Sequence, residues 1–251
     1  GWVKWLKDNW TDTTRNPKVG VIGYDNAVTL DTIEGIKWAG SKFGVDFIGY
    51  EIVPFLGTID TTTELMRLAA KNPDWIQIIG TGATQVTIIK DIEKLKLKEK
   101  GIKFINQWCG WSELLPVVGK AMEGMYHEDF SPCLAEREKY PFFDVMVERL
   151  KVWGLPGKAT CQPIGAFVGA CAGCEGIRLA IEKVGVEKVT GVDVRDAIVT
   201  IRNLELPLIP HPATITEEEP WFINEMRIDM IRGGEVVPFT DFFPIVNMPI
   251  E

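Results

Sequence analysis

Lys18-Val-Gly-Val-Ile-Gly23 is the stretch that decides the fold, because it is a short, apolar, β-rich run followed by a helical pattern. In the segment from Thr29 to Phe43, apolar side chains recur near the spacing of an α-helix. These apolar positions are Leu30, Ile33, Ile36, Trp38 and Ala39. The sequence therefore predicts a strand that is followed by a helix.

The same order recurs three more times along the first half of the chain. Further strands are predicted over Asp46 to Val53, Trp75 to Gly80 and Lys103 to Trp108. The helices that follow them are predicted over Thr61 to Ala70, Thr84 to Leu95 and Ser112 to Lys120. Strand starts lie about 28 residues apart, as in a βαβ unit. Because few polar residues interrupt the strands, we expect a doubly wound α/β fold with a mainly parallel sheet.

The second half is richer in helical patterns. After a polar, proline-containing stretch, helices are predicted over Pro141 to Val152, Gly165 to Val184 and Val192 to Arg202. No clear strand separates the first two. This part is interpreted as a second, helix-rich lobe.

Two further features close the chain. Leu206 to Pro220 contains four prolines, which oppose a helix or a central strand, so we predict a long surface strap there. Glu225 to Ile231 and Glu235 to Phe239 flank Gly233-Gly234 and predict a hairpin.

Composition narrows the classes of function. The 251 residues are 46% hydrophobic and 25% charged, which is typical of a globular protein. Lys and Arg total 27 against 35 Asp and Glu, giving a net charge of -8. Because phosphate backbones and anionic lipids repel such a chain, nucleic acid and anionic membranes are not expected as partners.

The candidate motifs for catalysis and metal binding are all incomplete. His127 and His211 are far apart and lack metal-ligand spacing, so a structural role is expected for both. Cys171 and Cys174 have CxxC spacing, yet they lie inside a helical pattern, which favours helix packing over redox chemistry. Gly80-Thr-Gly82 lacks the remaining residues of a dinucleotide or phosphate loop. We expect no cofactor, no metal and no catalytic residue.

The residues that follow the predicted strands are a better candidate site, because open parallel sheets bind ligands at their carboxyl ends. Aromatic and small hydrogen-bonding residues predominate there, which suits the binding of an apolar or planar ligand. The candidates are Tyr24, Asp25, Asn26, Phe55, Thr81, Gly82, Ala83, Trp108 and Trp111. The alternative is that the tryptophans only pack and that Asp25 or Asn26 only caps a helix.

Three runs carry a resemblance to a known family: Lys18 to Asn26, Asp74 to Gly82 and Gly124 to Tyr126. With the closing run Met226 to Asp241, they resemble the type I periplasmic solute-binding proteins of the branched-chain amino acid (Leu/Ile/Val-binding) group. The resemblance covers nearly the whole chain in order. It implies two lobes, each with a doubly wound, mainly parallel sheet.

By this resemblance the chain departs from the family at its start, because the first half-lobe has no counterpart. Residues 1–127 correspond to the C-terminal-type lobe and residues 136–220 to the returning part of the N-terminal-type lobe. Residues 221–251 form the closing hairpin back in the C-terminal-type lobe. The first lobe is then incomplete, and an associated N-terminal segment of the same protein is expected.

The resemblance also bears on the ligand. Asp25 and Asn26 match the polar residues after the first strand, whereas Val28 replaces an aromatic residue of the family pattern. The acidic residue that commonly meets a ligand ammonium has no counterpart near Trp108. An aromatic or otherwise apolar carboxylic acid is therefore an alternative to an amino acid.

The resemblance implies a non-catalytic receptor that captures a small carboxylate-type ligand and delivers it to a membrane ABC permease. It implies a periplasmic or extracellular location, with a membrane anchor in the missing N-terminal part as one option. One alternative is the sensing domain of a larger signalling receptor. Another is an α/β enzyme that uses Asp25 with Glu51 or Asp60 as acid and base.

Overall fold

The computed structural model describes residues 1–107, 111–154, 161–220 and 223–246. The chain divides into two compact units. Unit 1 comprises Gly1–Asp129 and Arg227–Glu251, and unit 2 comprises Phe130–Met226.

Unit 1 is built on one mostly parallel sheet. Its strands are β1 (Lys18–Tyr24), β2 (Asp46–Val53), β3 (Trp75–Ile79), β4 (Lys103–Gln107), β5 (Tyr126–Asp129), β6 (Glu225–Arg232), β7 (Glu235–Pro238) and β8 (Phe243–Pro244). The strand order is β2-β1-β3-β4-β5-β6-β7, and β8 pairs with β6. The first five strands are parallel, whereas β6 runs antiparallel to both β5 and β7. The α/β fold with a mostly parallel sheet is confirmed.

Helices cover both faces of this sheet. They are α1 (Trp2–Asp8), α2 (Ala27–Phe43), α3 (Thr62–Ala69), α4 (Gly82–Lys94) and α5 (Trp111–Val118), which continues into a 3₁₀ turn at Gly119–Met122. Leu65 of α3, Ile88 of α4 and Leu114 of α5 join the apolar core with Ile76 and Ile78 of β3. The side chain of Gln77 points to the opposite face, because successive side chains of a strand alternate. There its amide meets Trp2 of α1, and α1 packs against α2.

The βα repeat of the sequence is reproduced, and each strand begins at its predicted residue. Three elements of unit 1 were not predicted, namely the helix α1 and the strands β5 and β8. The helix α1 is short, and the strand β5 has the sequence Tyr-His-Glu-Asp, which lacks the apolar character of a buried strand. Pairing on both sides with β4 and β6 makes this polar segment a strand. The predicted hairpin around Gly233-Gly234 is confirmed as β6 and β7.

Helices form much of the described part of unit 2. It contains a 3₁₀ helix (Leu134–Lys139), α6 (Phe142–Val152), α7 (Cys161–Val184) and α8 (Gly191–Ile198). Its core joins α6 and α7 to the segment around residues 204–213 through Phe143, Met146 and Val168. Gly176 of α7 lies so close to Ile198 of α8 that an added Cβ would be 2.2 Å from Ile198 Cγ1. The two helices therefore pack in direct contact.

The predicted surface strap over Leu206 to Pro220 is wrong in one respect. Leu206, Leu208, Ala213 and Ile215 are all buried. Two backbone hydrogen bonds between Leu204 and Ala213 fold the segment back on itself, which turns its leucines into the core of unit 2. The prolines exclude a helix from this segment, as predicted, but the segment is not confined to the surface.

The helix α7 has two opposite stripes. Ile164, Val168, Ala172 and Ala180 are buried, whereas Ala166, Ala170, Cys174 and Ile177 are exposed. Within the described residues, Ile164–Val184 is the one helix long and apolar enough to cross a membrane, with a mean hydropathy of 1.5. Length and composition do not separate such a helix from the core helix of a soluble domain, and the buried stripe belongs to the core of unit 2.

Candidate functional site

The carboxyl edge of the unit 1 sheet brings several predicted site residues together. Because β2, β1 and β3 are neighbours, the loops that follow them are adjacent at one edge. Tyr24 ends β1 and is buried, and its ring meets the ring of Phe55 edge-on at a centroid distance of 4.9 Å. Phe55 remains 52% exposed. One side of its ring is therefore held and the other is open for contact.

Asp25 and Asn26 connect β1 to α2. The Asp25 backbone N–H donates to the Val53 carbonyl oxygen at 3.1 Å, and the Asp25 side chain is exposed. Asn26 is the N-cap of α2, and its Oδ1 accepts from the Thr29 backbone N–H at 2.9 Å. Asn26 therefore caps a helix, as the alternative interpretation of the sequence predicted. Only its amide nitrogen is then available to a ligand. The Asp25 carboxylate makes no cap of this kind.

The loop after β3 presents the start of α4. Thr81 is the N-cap, but its hydroxyl makes no capping hydrogen bond, and Thr81, Gly82 and Ala83 are all exposed. Gly82 has φ +56°, a conformation that L side chains rarely adopt. Thr84 Oγ1 donates to the Phe55 carbonyl oxygen at 3.0 Å and ties this loop to the one after β2. The open backbone N–H groups of the first turn suit an anionic or carbonyl oxygen.

The two tryptophans of the predicted site are not placed by this geometry. Trp108 lies outside the described residues. Trp111 is the first residue of α5. Their contact with a ligand stays a prediction.

The remaining chemical candidates do not assemble a site. His127 is buried on β5, and His211 pairs with Glu225 at the surface of unit 2. Cys171 and Cys174 are free thiols inside α7, and burial raises the pKa of Cys171, as does the nearby Cys174. Across the described ranges, no three His, Cys, Asp or Glu side chains group as metal ligands.

One polar residue at this edge was missed from the sequence. Gln107 ends β4, and its Oε1 accepts from Thr32 Oγ1 of α2 at 2.8 Å. The strand was predicted to extend to Trp108, which placed Gln107 inside the sheet. A polar residue at the end of an apolar strand is the signal that could have identified it.

Residues 1–228 match the family model described as "Periplasmic binding protein". No curated protein matches the chain.

Three solved structures illustrate the similarity of fold. A branched-chain amino acid ABC transporter from Thermus thermophilus with bound valine is 20% identical, with TM-score 0.80, over 97% of this chain and 64% of that one. A solute-binding protein of an ABC transporter from Rhodopseudomonas palustris BisB5, in complex with 3,4-dihydroxybenzoic acid, is 20% identical. Its TM-score is 0.68, over 98% of this chain and 64% of that one. A fatty acid ABC transporter substrate-binding protein from Thermomonospora curvata is 14% identical, with a TM-score of 0.78, over 97% of this chain and 61% of that one. The chain thus spans less than two thirds of these relatives.

Proposed function

Because the chain belongs to the periplasmic binding protein family, we propose that it is the larger part of an extracytoplasmic solute receptor. This receptor captures a small carboxylate-type ligand between two lobes and delivers it to a membrane ABC permease. The family match over residues 1–228 is the observation that carries the proposal. The edge of unit 1 supports it, because loops after β1, β2 and β3 meet there with exposed aromatic and hydrogen-bonding groups.

The ligand is proposed to be an amino acid or an aromatic or apolar acid. Valine, 3,4-dihydroxybenzoic acid and fatty acids, which the descriptions of three structural neighbours name, share a carboxylate beside an apolar part. The half-exposed ring of Phe55 suits the apolar part. The open N-terminus of α4 at Thr81 suits the carboxylate. Trp108 and Trp111 are proposed to contact the apolar part of the ligand.

We propose that the receptor performs no chemistry on its ligand. The structural neighbours are described as binding or transport proteins. Asp25, Glu51 and Asp60 were the acid–base candidates of the enzyme alternative. Glu51 is engaged by Arg67 at 2.6 Å, and Asp60 accepts from the Thr62 hydroxyl and backbone N–H. Two of the three carboxylates therefore already have structural partners.

A further, N-terminal segment of the same protein is proposed to cover the exposed stripe of α7. This stripe consists of Ala166, Ala170, Cys174 and Ile177. Small apolar side chains along one helix face allow close packing against another layer. The structural relatives are longer than this chain, which covers 64% of the first of them. The segment completes the lobe to which unit 2 belongs.

The test is ligand binding by the full-length protein after unfolding and refolding, which removes retained ligand. Isothermal titration uses valine, leucine, benzoate, 4-hydroxybenzoate and octanoate, and native mass spectrometry identifies any retained molecule. We expect one acid to bind with 1:1 stoichiometry, to quench tryptophan fluorescence and to be recovered unchanged. Trp108→Ala and Trp111→Ala should each weaken binding about tenfold, as expected for a lost aromatic contact. Binding of none of these acids, or a turnover product, would overturn the proposal.

A further inference from the structure

A chain of polar side chains lies on the α1 and α2 side of the unit 1 sheet. Trp2 Nε1 donates to Gln77 Oε1 at 3.1 Å. Gln77 Nε2 donates to Gln107 Oε1 at 3.2 Å and to Glu128 Oε1 at 2.6 Å. Thr32 Oγ1 of α2 donates to the same Gln107 oxygen. These bonds link three neighbouring strands to two helices.

The donors in this chain determine how each amide is oriented. An indole N–H only donates, so Gln77 must present its oxygen to Trp2. The nitrogen of Gln77 then faces Gln107, which must present its own oxygen in return. Because the amide group is planar, the nitrogen of Gln107 points away from that oxygen. The orientation of Gln107 thus follows from Trp2 through Gln77.

Gln107 Nε2 carries two N–H donors at the carboxyl end of β4. In the described part of the chain, the hydrogen bonds of the Gln107 side chain all go to its oxygen. The residue is partly exposed and is the last described position before residues 108–110. The single proton of the Thr32 hydroxyl is shared between the Gln107 oxygen and the Val28 carbonyl oxygen, each 2.8 Å from Thr32 Oγ1, in the first turns of α2. The oriented donors therefore lie between the end of β4 and the start of α2.

We propose that Gln107 is a ligand-recognition residue, whose Nε2 donates to a carboxylate oxygen of the bound acid. The inference rests on the proposed receptor function and adds a specificity determinant to that site. The carboxyl edge of a parallel sheet is where ligands bind. An amide that is already held by two accepted hydrogen bonds loses little conformational freedom on binding. Such a donor favours a carboxylate over a group that can only donate.

The decisive variant is Gln107→Glu, which keeps an oxygen for Thr32 and Gln77 and replaces the N–H donors by a carboxylate oxygen. Titrations use benzoate and benzamide with the full-length protein, and valine with valinamide if valine is the acid bound. We expect carboxylate affinity to fall about tenfold or more, since a hydrogen bond to a charged group is lost and repulsion is added. Affinity for the amide analogue should fall less. A purely structural role would lower both equally.

Asn72→Asp is the matched control, because it makes the same amide-to-acid change at an exposed position before β3. It should leave both affinities within twofold. Gln107→Met, which removes the donors without adding charge, is the second variant if the first does not fold. It should also lower the carboxylate-to-amide preference.

The outcomes separate the two proposals. If the unaltered protein binds no acid, the proposed function fails and this inference fails with it. If it binds an acid and both Gln107 variants keep the same preference, the receptor function stands and the role of Gln107 is overturned. If the Gln107 variants lose more affinity for the carboxylate than for the amide analogue, both proposals are supported.

Discussion

Arg227 Nε lies 2.7 Å from Asp229 Oδ1, and both side chains are almost completely buried. The Arg227 guanidinium also lies over the Phe242 ring, 4.8 Å from its centroid. Arg227 is the register partner of Asp129, whose carboxylate lies 3.7 Å from His127 Nε2. Asp129 and Arg227 are also the residues at which the chain leaves and re-enters unit 1. A buried charge cluster therefore holds the two strands that connect to unit 2.

Arg227→Met should destabilise the protein strongly. The substitution leaves the Asp229 carboxylate buried without its neighbouring charge, which typically costs about 3 to 5 kcal/mol. Urea unfolding measures the change. Arg232→Met, at the exposed end of the same strand, is the control and should cost no more than about 0.5 kcal/mol.

The double variant Arg227→Met with Asp229→Leu sharpens this prediction. It removes both charges, so its free energy of unfolding should exceed that of Arg227→Met alone. Equal unfolding midpoints for Arg227→Met and the unaltered protein would show that the ion pair contributes little to stability.

The fold was predictable where local pattern and tertiary structure agree. The apolar run Lys18–Tyr24 forms a strand in any buried parallel sheet, and its pattern was sufficient. The polar strand Tyr126–Asp129 was not predictable, because its pairing depends on a strand about a hundred residues later. The burial of Leu206 likewise depends on contacts with α6 and α7.

The site was only partly predictable for the same reason. Position after a strand predicted that Phe55, Asp25 and Thr81 lie at one edge of the sheet, because the carboxyl ends of parallel strands share that edge. The orientation of Gln107 depends on Trp2, Gln77 and Thr32, which lie on three other elements. No local pattern contains that information.

Two glycines of α2 should respond in opposite directions to substitution by alanine. At Gly35 an added Cβ meets nothing within 4 Å, so Gly35→Ala should stabilise the helix by about 0.5 to 1 kcal/mol. At Gly40 the added Cβ would lie 2.6 Å from the Val45 carbonyl oxygen, so Gly40→Ala should destabilise by roughly 1 to 3 kcal/mol. Thermal unfolding of both variants is the measurement. Changes of the same sign would contradict the packing of α2 against the start of β2.

Glu128 should make the protein less stable as the pH rises. Burial raises the pKa of Glu128 to about 8 from an ordinary value of 4.5. Between these two values the unfolded chain loses the proton that the folded chain keeps. The free energy of unfolding should therefore fall from pH 4.5 to pH 8, by about 1.4 kcal/mol for each unit of pKa difference.

Glu128→Gln removes this ionisation and keeps a carbonyl oxygen for Gln77. Urea unfolding at about pH 5 and pH 8 should show a smaller difference for this variant than for the unaltered protein. Glu99→Gln, at an exposed position, should retain the original difference. The prediction is wrong if all three proteins lose stability in parallel.

Cys174 offers a direct test of whether a further segment covers α7. In this chain Cys174 is exposed on the stripe with Ala170 and Ile177, so its thiol should react readily with a maleimide. In a longer protein that contains the proposed N-terminal segment, packing against this stripe should slow the reaction about tenfold or more, since labelling then requires local opening. The Cys174→Ser variant shows which part of the maleimide labelling of the five cysteines belongs to Cys174. The buried Cys133 should react slowly in both forms and is the reference. Equal rates for Cys174 in the short and long forms would mean that the segment packs elsewhere, because no other change in the chain distinguishes the two.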